Sequence, residues 1–360
     1  MKGEAAMLLK NALLKALLES EGESLSGSAL ATRLGVSRTA IWKAAGLLRE
    51  EGYVIEAGPN RGYRLISDND RLSEPAIRRL LTGTGFGTEI HLYSELTSTN
   101  DKAKELANAG AVDGTVVIAD SQSAGKGRRG RSFFSPPGSG LYLSVILRPR
   151  LTGEQASRIT SAAAVAAARA VERAASLPGG TVGIRWVNDL YIRGRKICGI
   201  LTEAALDLES GLLDYAVLGI GINTAPISFP EELRRTATSV SNECGRPVSR
   251  SALAACLLDE LERELPGVGE PPPCRFLEES RRRSVVVGRD VLVTKGNETF
   301  SARALEIDDE GGLVVETPAG RQTLRSGEVS VHLSQDGETP ADAAEGSTTP
   351  AGRSGAPNRR

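Results

Sequence analysis

Between residues 5 and 20, leucines at positions 8, 9, 13, 14, 17 and 18 form one broad apolar stripe at helical spacing, which ends at Glu21-Gly22 and predicts a first helix. Ala29, Leu30 and Leu34 repeat that spacing over Ser26 to Leu34. Gly35-Val36 then turns the chain, and Ser37 stands where it would N-cap a third helix running to about Glu51. The runs Tyr53-Val54-Ile55 and Tyr63-Arg64-Leu65-Ile66 flank the turn-rich stretch Gly58-Pro59-Asn60-Arg61-Gly62. Helix, tight turn, helix and a two-stranded wing are therefore expected by residue 66.

A polar join from Ser67 to Asp70 and a short helical stretch follow. Strand-like runs then lie at 115–119, 141–147, 183–186, 197–203 and 215–222, around one Ala-rich helix from Thr152 to Ser176. Its composition suits close packing on a sheet. Pro266 to Pro273 (PGVGEPPP) reads as a stiff linker without structure. Short β runs at 285–287, 291–294, 302–307, 313–317 and 329–333, separated by turn signals, predict a small barrel. Residues 334–360 hold no aromatic residue and no Val, Ile or Leu, so a disordered tail is expected.

Composition narrows the function classes. Forty-four Lys and Arg against 45 Asp and Glu leave a net charge of −1 over 360 residues, so any nucleic-acid contact must be local. No apolar run approaches the ~18 to 20 residues that span a bilayer. The first 20 residues, broken by Lys10, Lys15 and Glu19, do not read as a secretory signal, and a cytoplasmic protein without membrane association is expected. Cys198, Cys244, Cys256 and Cys274 lack a C-x-x-C pair, which argues against a disulfide framework or a zinc site. With His91 and His332 the only histidines, a histidine triad is also disfavoured.

Residues 1–66 carry nine Lys/Arg and seven Glu, so charge alone does not indicate DNA binding there. The arrangement does. Ile41, Ala45 and Leu48 recur at i, i+4 and i+7 for a core, which leaves Ser37, Arg38, Thr39, Trp42 and Lys43 outward at the start of a recognition helix. Arg61 and Arg64 on the wing would add phosphate contacts. The competing reading is a protein-interaction domain with Trp42 buried. Gly46, inside the third helix, should cost roughly 1 kcal/mol against Ala unless close packing requires it.

The most specific segment is Gly125-Lys126-Gly127-Arg128-Arg129-Gly130-Arg131, where glycines and basic residues suit a loop that closes over an anionic ligand. It lacks the G-K-[ST] of a Walker loop. Ser98-Thr99-Asn100 stands at an expected helix start, where simple capping is the bland alternative. Tyr142 and Ser144 share one face of a strand. Arg185-Trp186-Val187-Asn188-Asp189 ends a strand in a polar turn before Lys196. Gly219-Ile220-Gly221-Ile222-Asn223 lacks the third glycine of a dinucleotide fingerprint, and its glycines are read as letting backbone touch a ligand.

The ordered segments ELTSTN, QSAGKGRRGR, LYLSVIL, RWVNDLYIRGRKICGI and GIGIN, behind SRTAIWK, closely resemble the bifunctional biotin protein ligases and biotin operon repressors over roughly residues 8 to 333. The resemblance implies a multidomain α+β protein: a winged helix-turn-helix domain (1–66), a catalytic domain with the class II aminoacyl-tRNA synthetase-like fold of biotin and lipoate ligases (67–273), and an SH3-like domain (284–333). It implies a biotin–[biotin carboxyl-carrier protein] ligase that makes biotinyl-5'-AMP from biotin and Mg-ATP, with no tightly bound cofactor, and passes biotin to a carrier lysine. Operator DNA and a homodimer of the adenylate-bound form are the further partners implied.

By motif position, Ser98, Thr99, Asn100 and Gln122 would bind biotin or its adenylate, Ser98, Thr99 and Gln122 at the ureido end. Tyr142, Ser144, Gly199, Gly219 and Gly221 would line the pocket. Lys196 would meet the carboxylate and α-phosphate, and Gly125, Lys126, Gly127 and Arg128 would form the covering loop, with Arg128 retaining the intermediate. Asn188, Asp189 and Asn223 would face nucleotide and metal. No residue is assigned directly to the metal. Arg185 and Val187 depart from the family's usual Lys and Pro, and Lys126 from its usual Arg. Alternatives are a biotin-sensing transcription factor without turnover, and the same chemistry on lipoate or another acid.

Overall fold

The computed structural model describes residues 2–331 apart from 59–60, 68–69, 154, 227, 272–273, 296–297 and 326. The expected 334–360 tail lies outside the described residues. Near the N-terminus, α1 (Lys2–Glu19), α2 (Gly27–Leu34) and α3 (Arg38–Glu50) follow the three apolar stripes. Ser26 and Ser37 cap α2 and α3 by accepting from Ala29 N at 3.0 Å and Ala40 N at 3.2 Å, which satisfies amides left free at a helix start. Gly35, at φ +66°, ends α2 in the left-handed conformation that a residue without Cβ adopts freely. The wing is an antiparallel pair, β1 (Val54–Gly58) and β2 (Gly62–Ser67). Leu13, Leu17, Leu30, Ile41, Ala45 and Leu48 meet in one buried core. No neighbour lies within 4 Å of a Cβ built on Gly46, so packing does not demand a glycine there.

After α4 (Glu74–Leu80) comes a seven-stranded sheet. Its elements are β3 (Ile90–Leu96), α5 (Thr99–Asn108), β4 (Val116–Gln122), β5 (Gly140–Leu147), α6 (Ala156–Ala174), β6 (Gly183–Arg185), β7 (Asp189–Ile192), β8 (Arg195–Leu206) and β9 (Leu213–Asn223). The strand order is β3-β4-β5-β9-β8-β7-β6, with only β3 and β4 parallel. Alternation along β5 sorts its side chains: Leu141, Leu143 and Val145 join the core with α6, while Ile146 packs with Ala103 and Ala107 of α5. The helices α7 (Val240–Cys244), α8 (Arg250–Glu264) and α9 (Arg275–Arg283) complete this unit. Residues 162–168 of α6 are wholly buried, because alanines let it approach the sheet and α8 together.

Ion pairs tie these helices. Arg169 on α6 binds Glu264 on α8 and Glu279 on α9, and Arg283 reaches Glu172 at 2.7 Å. Arg250 at the start of α8 holds Asp70 of the join and Asp120 on β4. The stretch expected as a structureless linker is instead a 3₁₀ turn over Leu265–Gly269, with Val268 buried in the core. Pro272 and Pro273 fall outside the described residues.

The last unit is a five-stranded antiparallel sheet in the order β13-β12-β11-β10-β14: β10 (Asp290–Lys295), β11 (Glu298–Ile307), β12 (Leu313–Thr317), β13 (Gly320–Leu324) and β14 (Glu328–Val331). Among the described residues no pairing joins β13 to β14 to close the expected barrel. The valine run at 285–287 is not a strand. Ser284 Oγ accepts from Val286 N and Val287 N, which turns the chain, and one backbone bond ties Val285 to Ile184. Trp186, between β6 and β7, inserts into this sheet's core and donates from Nε1 to Gly311 O at 2.9 Å.

Candidate functional site

A cavity of about 440 Å³ opens over the glycine-bearing parts of β8 and β9. It is bordered by the start of α5, the loop after β4, the β6–β7 turn, residues 233–237 and the last sheet. One end is neutral. Ser98 occupies the N-cap position of α5, yet its side chain makes no capping bond and faces the cavity. Thr99 N donates to Gln122 Oε1 at 2.9 Å, and Gln122 Nε2 donates to Ser135 Oγ at 2.9 Å. Asn100 Nδ2 donates to Glu203 Oε2 at 2.8 Å. Although burial raises the Glu203 carboxyl, hydrogen bonds from Asn100 and Lys104 hold it below the usual carboxylate range.

The floor explains the glycines. A Cβ on Gly221 would lie 2.6 Å from the Phe133 ring and one on Gly219 would lie 2.1 Å from Asn100 Oδ1. In this structure they therefore admit Phe133 and Asn100, as well as leaving backbone open to the cavity. Phe133 itself was not anticipated; its signal was the Phe133-Phe134 pair just after the basic loop.

The other end is cationic. The loop folds as a tight hairpin, with Gly127 N bonded to Arg131 O at 2.7 Å and Phe133 N to Gly125 O at 2.8 Å. Arg128 Nη1 donates to Asn188 Oδ1 at 3.0 Å. Arg129 Nη1 donates to Thr294 O at 3.1 Å, which links the loop to the last sheet. Lys126 Nζ lies 2.6 Å from Asp101 Oδ1. Burial pushes Asp101 up, but bonds from Lys126 and Lys104 outweigh it and keep the carboxyl below its ordinary range. Asp189, the one carboxylate among the described lining residues, is clamped by Lys196 Nζ at 2.7 Å and Arg185 Nη2 at 2.8 Å. Arg185 also lies 4.6 Å over the Tyr191 ring, a contact worth about 0.5–1 kcal/mol at exposed sites.

Thirteen anticipated residues meet at this cavity: Ser98, Thr99, Asn100, Gln122, Lys126, Gly127, Arg128, Asn188, Asp189, Lys196, Gly199, Gly219 and Gly221. Four do not line it. Tyr142 lies beneath, its hydroxyl 3.0 Å from Ser139 Oγ, and burial pushes its phenol up to about 12. Ser144 is buried behind α5, 2.8 Å from Thr99 Oγ1 and 2.7 Å from Asn100 Oδ1. Asn223 is turned to Thr238 O at 3.1 Å. Gly125 is enclosed, since a Cβ there would meet Phe133 O at 2.5 Å. These four lie behind the lining residues rather than touching the space. Gly327, Val329 and Ser330 add a wall from the last sheet that motif order did not reveal.

On the N-terminal unit, Ser37, Arg38, Thr39, Trp42 and Lys43 are all exposed at the start of α3, and so are Arg61 and Arg64 on the wing. Trp42 is 63 % exposed, which removes the reading in which it is buried.

A neutral, glycine-floored end beside a cluster of arginines and lysines suits a ligand with an uncharged ring system and a polyanionic partner. Residues 93–223 match the Biotin/lipoate A/B protein ligase family, residues 10–64 an HTH domain, and residues 286–331 the Biotin protein ligase C terminal domain. The chain belongs to the biotin protein ligase family. Its similarity runs nearly end to end with the bifunctional ligase/repressor BirA of Bacillus subtilis (strain 168): 37% identity over 328 residues, covering 90% of this chain and 98% of that one. The bifunctional ligase/repressor BirA of Escherichia coli (strain K12) is 30% identical, with 88% and 96% covered. The structure of biotin protein ligase from Aquifex aeolicus in complex with biotin and ATP superposes with a TM-score of 0.57 at 26% identity, over 68% of this chain and 99% of that one.

Proposed function

We propose that the chain activates biotin with ATP as biotinyl-5'-AMP, transfers the biotinyl group to a lysine of a biotin carboxyl carrier protein, and represses a biotin operon through its N-terminal unit. The carrying observation is the cavity's division into a neutral end and a cationic end around the Asp189–Lys196 pair. In the first step a biotin carboxylate oxygen attacks the α-phosphorus and pyrophosphate leaves. In the second, the carrier amine attacks the acyl carbon, loses a proton, and AMP leaves. Neither step needs an enzyme nucleophile, so this chain contributes placement and charge stabilisation.

Ser98, Thr99, Asn100 and Gln122 are assigned to the uncharged rings, with Gly199, Gly219 and Gly221 as the floor. Lys196 is assigned to the carboxylate and α-phosphate, and exchanges Asp189 for them as the ligands enter. Arg128 covers the adenylate, with Asn188 and Asp189 on the nucleotide side. Among the described residues no cluster of three or more His, Cys, Asp or Glu suits a resident metal. Mg²⁺ would arrive on the nucleotide, where it would neutralise phosphate charge, with Asp189 as the carboxylate among the described lining residues. Exposed Arg38, Trp42, Lys43, Arg61 and Arg64 support contact with operator DNA.

The reading carries with it a class II synthetase-like fold for 67–273, an SH3-like one for 284–333, residues 1–66 as the winged helix-turn-helix domain, a homodimer of the adenylate-bound form, and a cytoplasmic setting. The test is biotin-dependent pyrophosphate release from Mg-ATP, with lipoate as control. Release with biotin alone is expected. Binding of biotin without release would replace the ligase with a sensor, and equal release with lipoate would overturn the substrate.

A further inference from the structure

Lys196 reaches the cavity because the ladder it stands in is irregular. Asp189 pairs with Gly199 and Leu190 with Cys198, but the next pair is Tyr191 with Lys196, so β8 carries Ile197 as an extra residue. Side chains alternate along a strand, and regular pairing from the cavity-lining Gly199 would bring Ile197 and Arg195 to that face. The bulge instead leaves Ile197 and Cys198 both in the core and returns Lys196 to the cavity.

A bulge needs partners for backbone groups that the ladder no longer serves. Here Lys196 N donates to Thr236 O at 2.8 Å, and Lys196 O accepts from Thr238 N at 2.9 Å. Glu243 on α7 grips both sides of this junction. Its Oε1 accepts from Arg195 Nη2 at 2.5 Å and from Thr238 Oγ1 at 2.9 Å, while Arg193 Nη1 stands 4.0 Å from Oε2. The side chain is 1 % exposed, and among the described residues Oε2 is the one buried side-chain polar atom without a hydrogen bond. A carboxylate so enclosed is costly to keep. It does not line the cavity, and its bonds go to the side chain of Arg195, next to the lysine in the chain, and to that of Thr238, whose backbone N–H bonds the lysine's carbonyl.

We infer that Glu243 is a positioning residue for Lys196: by clamping Arg195 and Thr238 it pins the bulge and so fixes the direction in which the lysine side chain leaves β8. The inference rests on the reading of Lys196 as the lysine that meets the carboxylate and α-phosphate.

The test is a double-substitution cycle in the full chain, read by biotin-dependent exchange of radiolabelled pyrophosphate into ATP, with thermal melting to check folding. Glu243→Gln preserves volume and a bond to Thr238 while removing the charge that holds Arg195. Arg195→Gln breaks the same pair from its half-exposed side. Each is expected to lower kcat about tenfold while the KM for biotin changes less than about threefold, and Glu243→Ala to lower kcat on the order of 10²-fold. In a Lys196→Ala background the same substitutions should have no further effect. Folded variants with unchanged kcat, or losses that multiply fully onto Lys196→Ala, would overturn the role. A full rate from Lys196→Ala alone would instead overturn the reading of the lysine.

Discussion

The N-terminal and central units treat polar groups in opposite ways. Among the described residues up to 67, every buried side chain except that of Tyr53 is aliphatic, and the residues assigned to DNA stand on the surface at the start of α3 and on the wing. The central unit buries hydroxyls and charges: Thr99, Ser144, Asp189 and Glu243 around the cavity, and Arg158, Glu172 and Glu264 among its helices. A surface reader built on an apolar core can change its contacts one at a time. A cavity whose ligands are also each other's partners cannot, because removing one member leaves a buried group unsatisfied.

The largest effect falls at the interlocked site. Lys196→Ala should slow adenylate formation on the order of 10²–10³-fold in the pyrophosphate assay, while DNA affinity of the ligand-free protein stays the same. An unchanged rate would remove this lysine from the chemistry. Arg128→Gly should keep adenylate formation but release the intermediate, detected as biotin on bystander proteins. Clean transfer to the carrier alone would contradict a retaining role.

Acid should separate the two units. Burial raises the Glu279 carboxyl, yet bonds from Arg169 and Arg283 outweigh it and hold the carboxyl below its ordinary range. A depressed carboxyl adds stability that is fully present above the unfolded pKa, about 4.3, and is lost as pH falls through the lower folded value. Trp42 and Trp186 are the two tryptophans of the chain, one in each region, so a Trp42→Phe variant lets fluorescence follow Trp186 alone. Its transition should lose stability below about pH 4.3, and Glu279→Gln should flatten that dependence. An unaltered acid slope would show that the network is not the sensitive element.

Smaller effects belong to the independent unit. Arg38→Ala and Lys43→Ala should each reduce the salt slope of operator binding by about 1, additively, as phosphate contacts do. A non-additive pair would make this face as interlocked as the cavity. Last, Gly46→Ala should stabilise the N-terminal unit by about 1 kcal/mol, measured by its own unfolding transition, since its Cβ meets no neighbour. Destabilisation would reveal a contact outside the resting structure.

The same contrast governed what the sequence could tell. Helices α1 to α3 and their caps were legible because periodicity and capping act over a few residues. At the cavity, the glycine-basic loop and the run from Asn188 to Lys196 were legible as motifs, but whether a motif residue faces the space depends on packing. Tyr142, Ser144 and Asn223 lie on the correct strands and are turned into supporting bonds. Phe133 and Tyr191 escaped notice, and Arg185 was legible as a turn residue but not as a partner of Asp189 and Tyr191, because a loop aromatic and a turn arginine have no period to follow. The bulge that aims Lys196 depends on pairing with β7, and the wall at 327–330 lies more than a hundred residues from the other motifs. Val268 was the one apolar hint that the proline-rich stretch belongs to the core.

That wall also sets an order of events during synthesis. Chains fold from the N-terminus as they emerge, and among the described residues the apolar core shared by α1 to β2 ends at residue 65, although α1 also packs on α4. The cavity is bounded by Gly327, Val329 and Ser330, and Arg129 of its loop is tied to Thr294. A nascent chain therefore gains its DNA-reading surface some 260 residues before its ligand site is complete, and a fragment ending in that interval would carry the reader with an unfinished cavity.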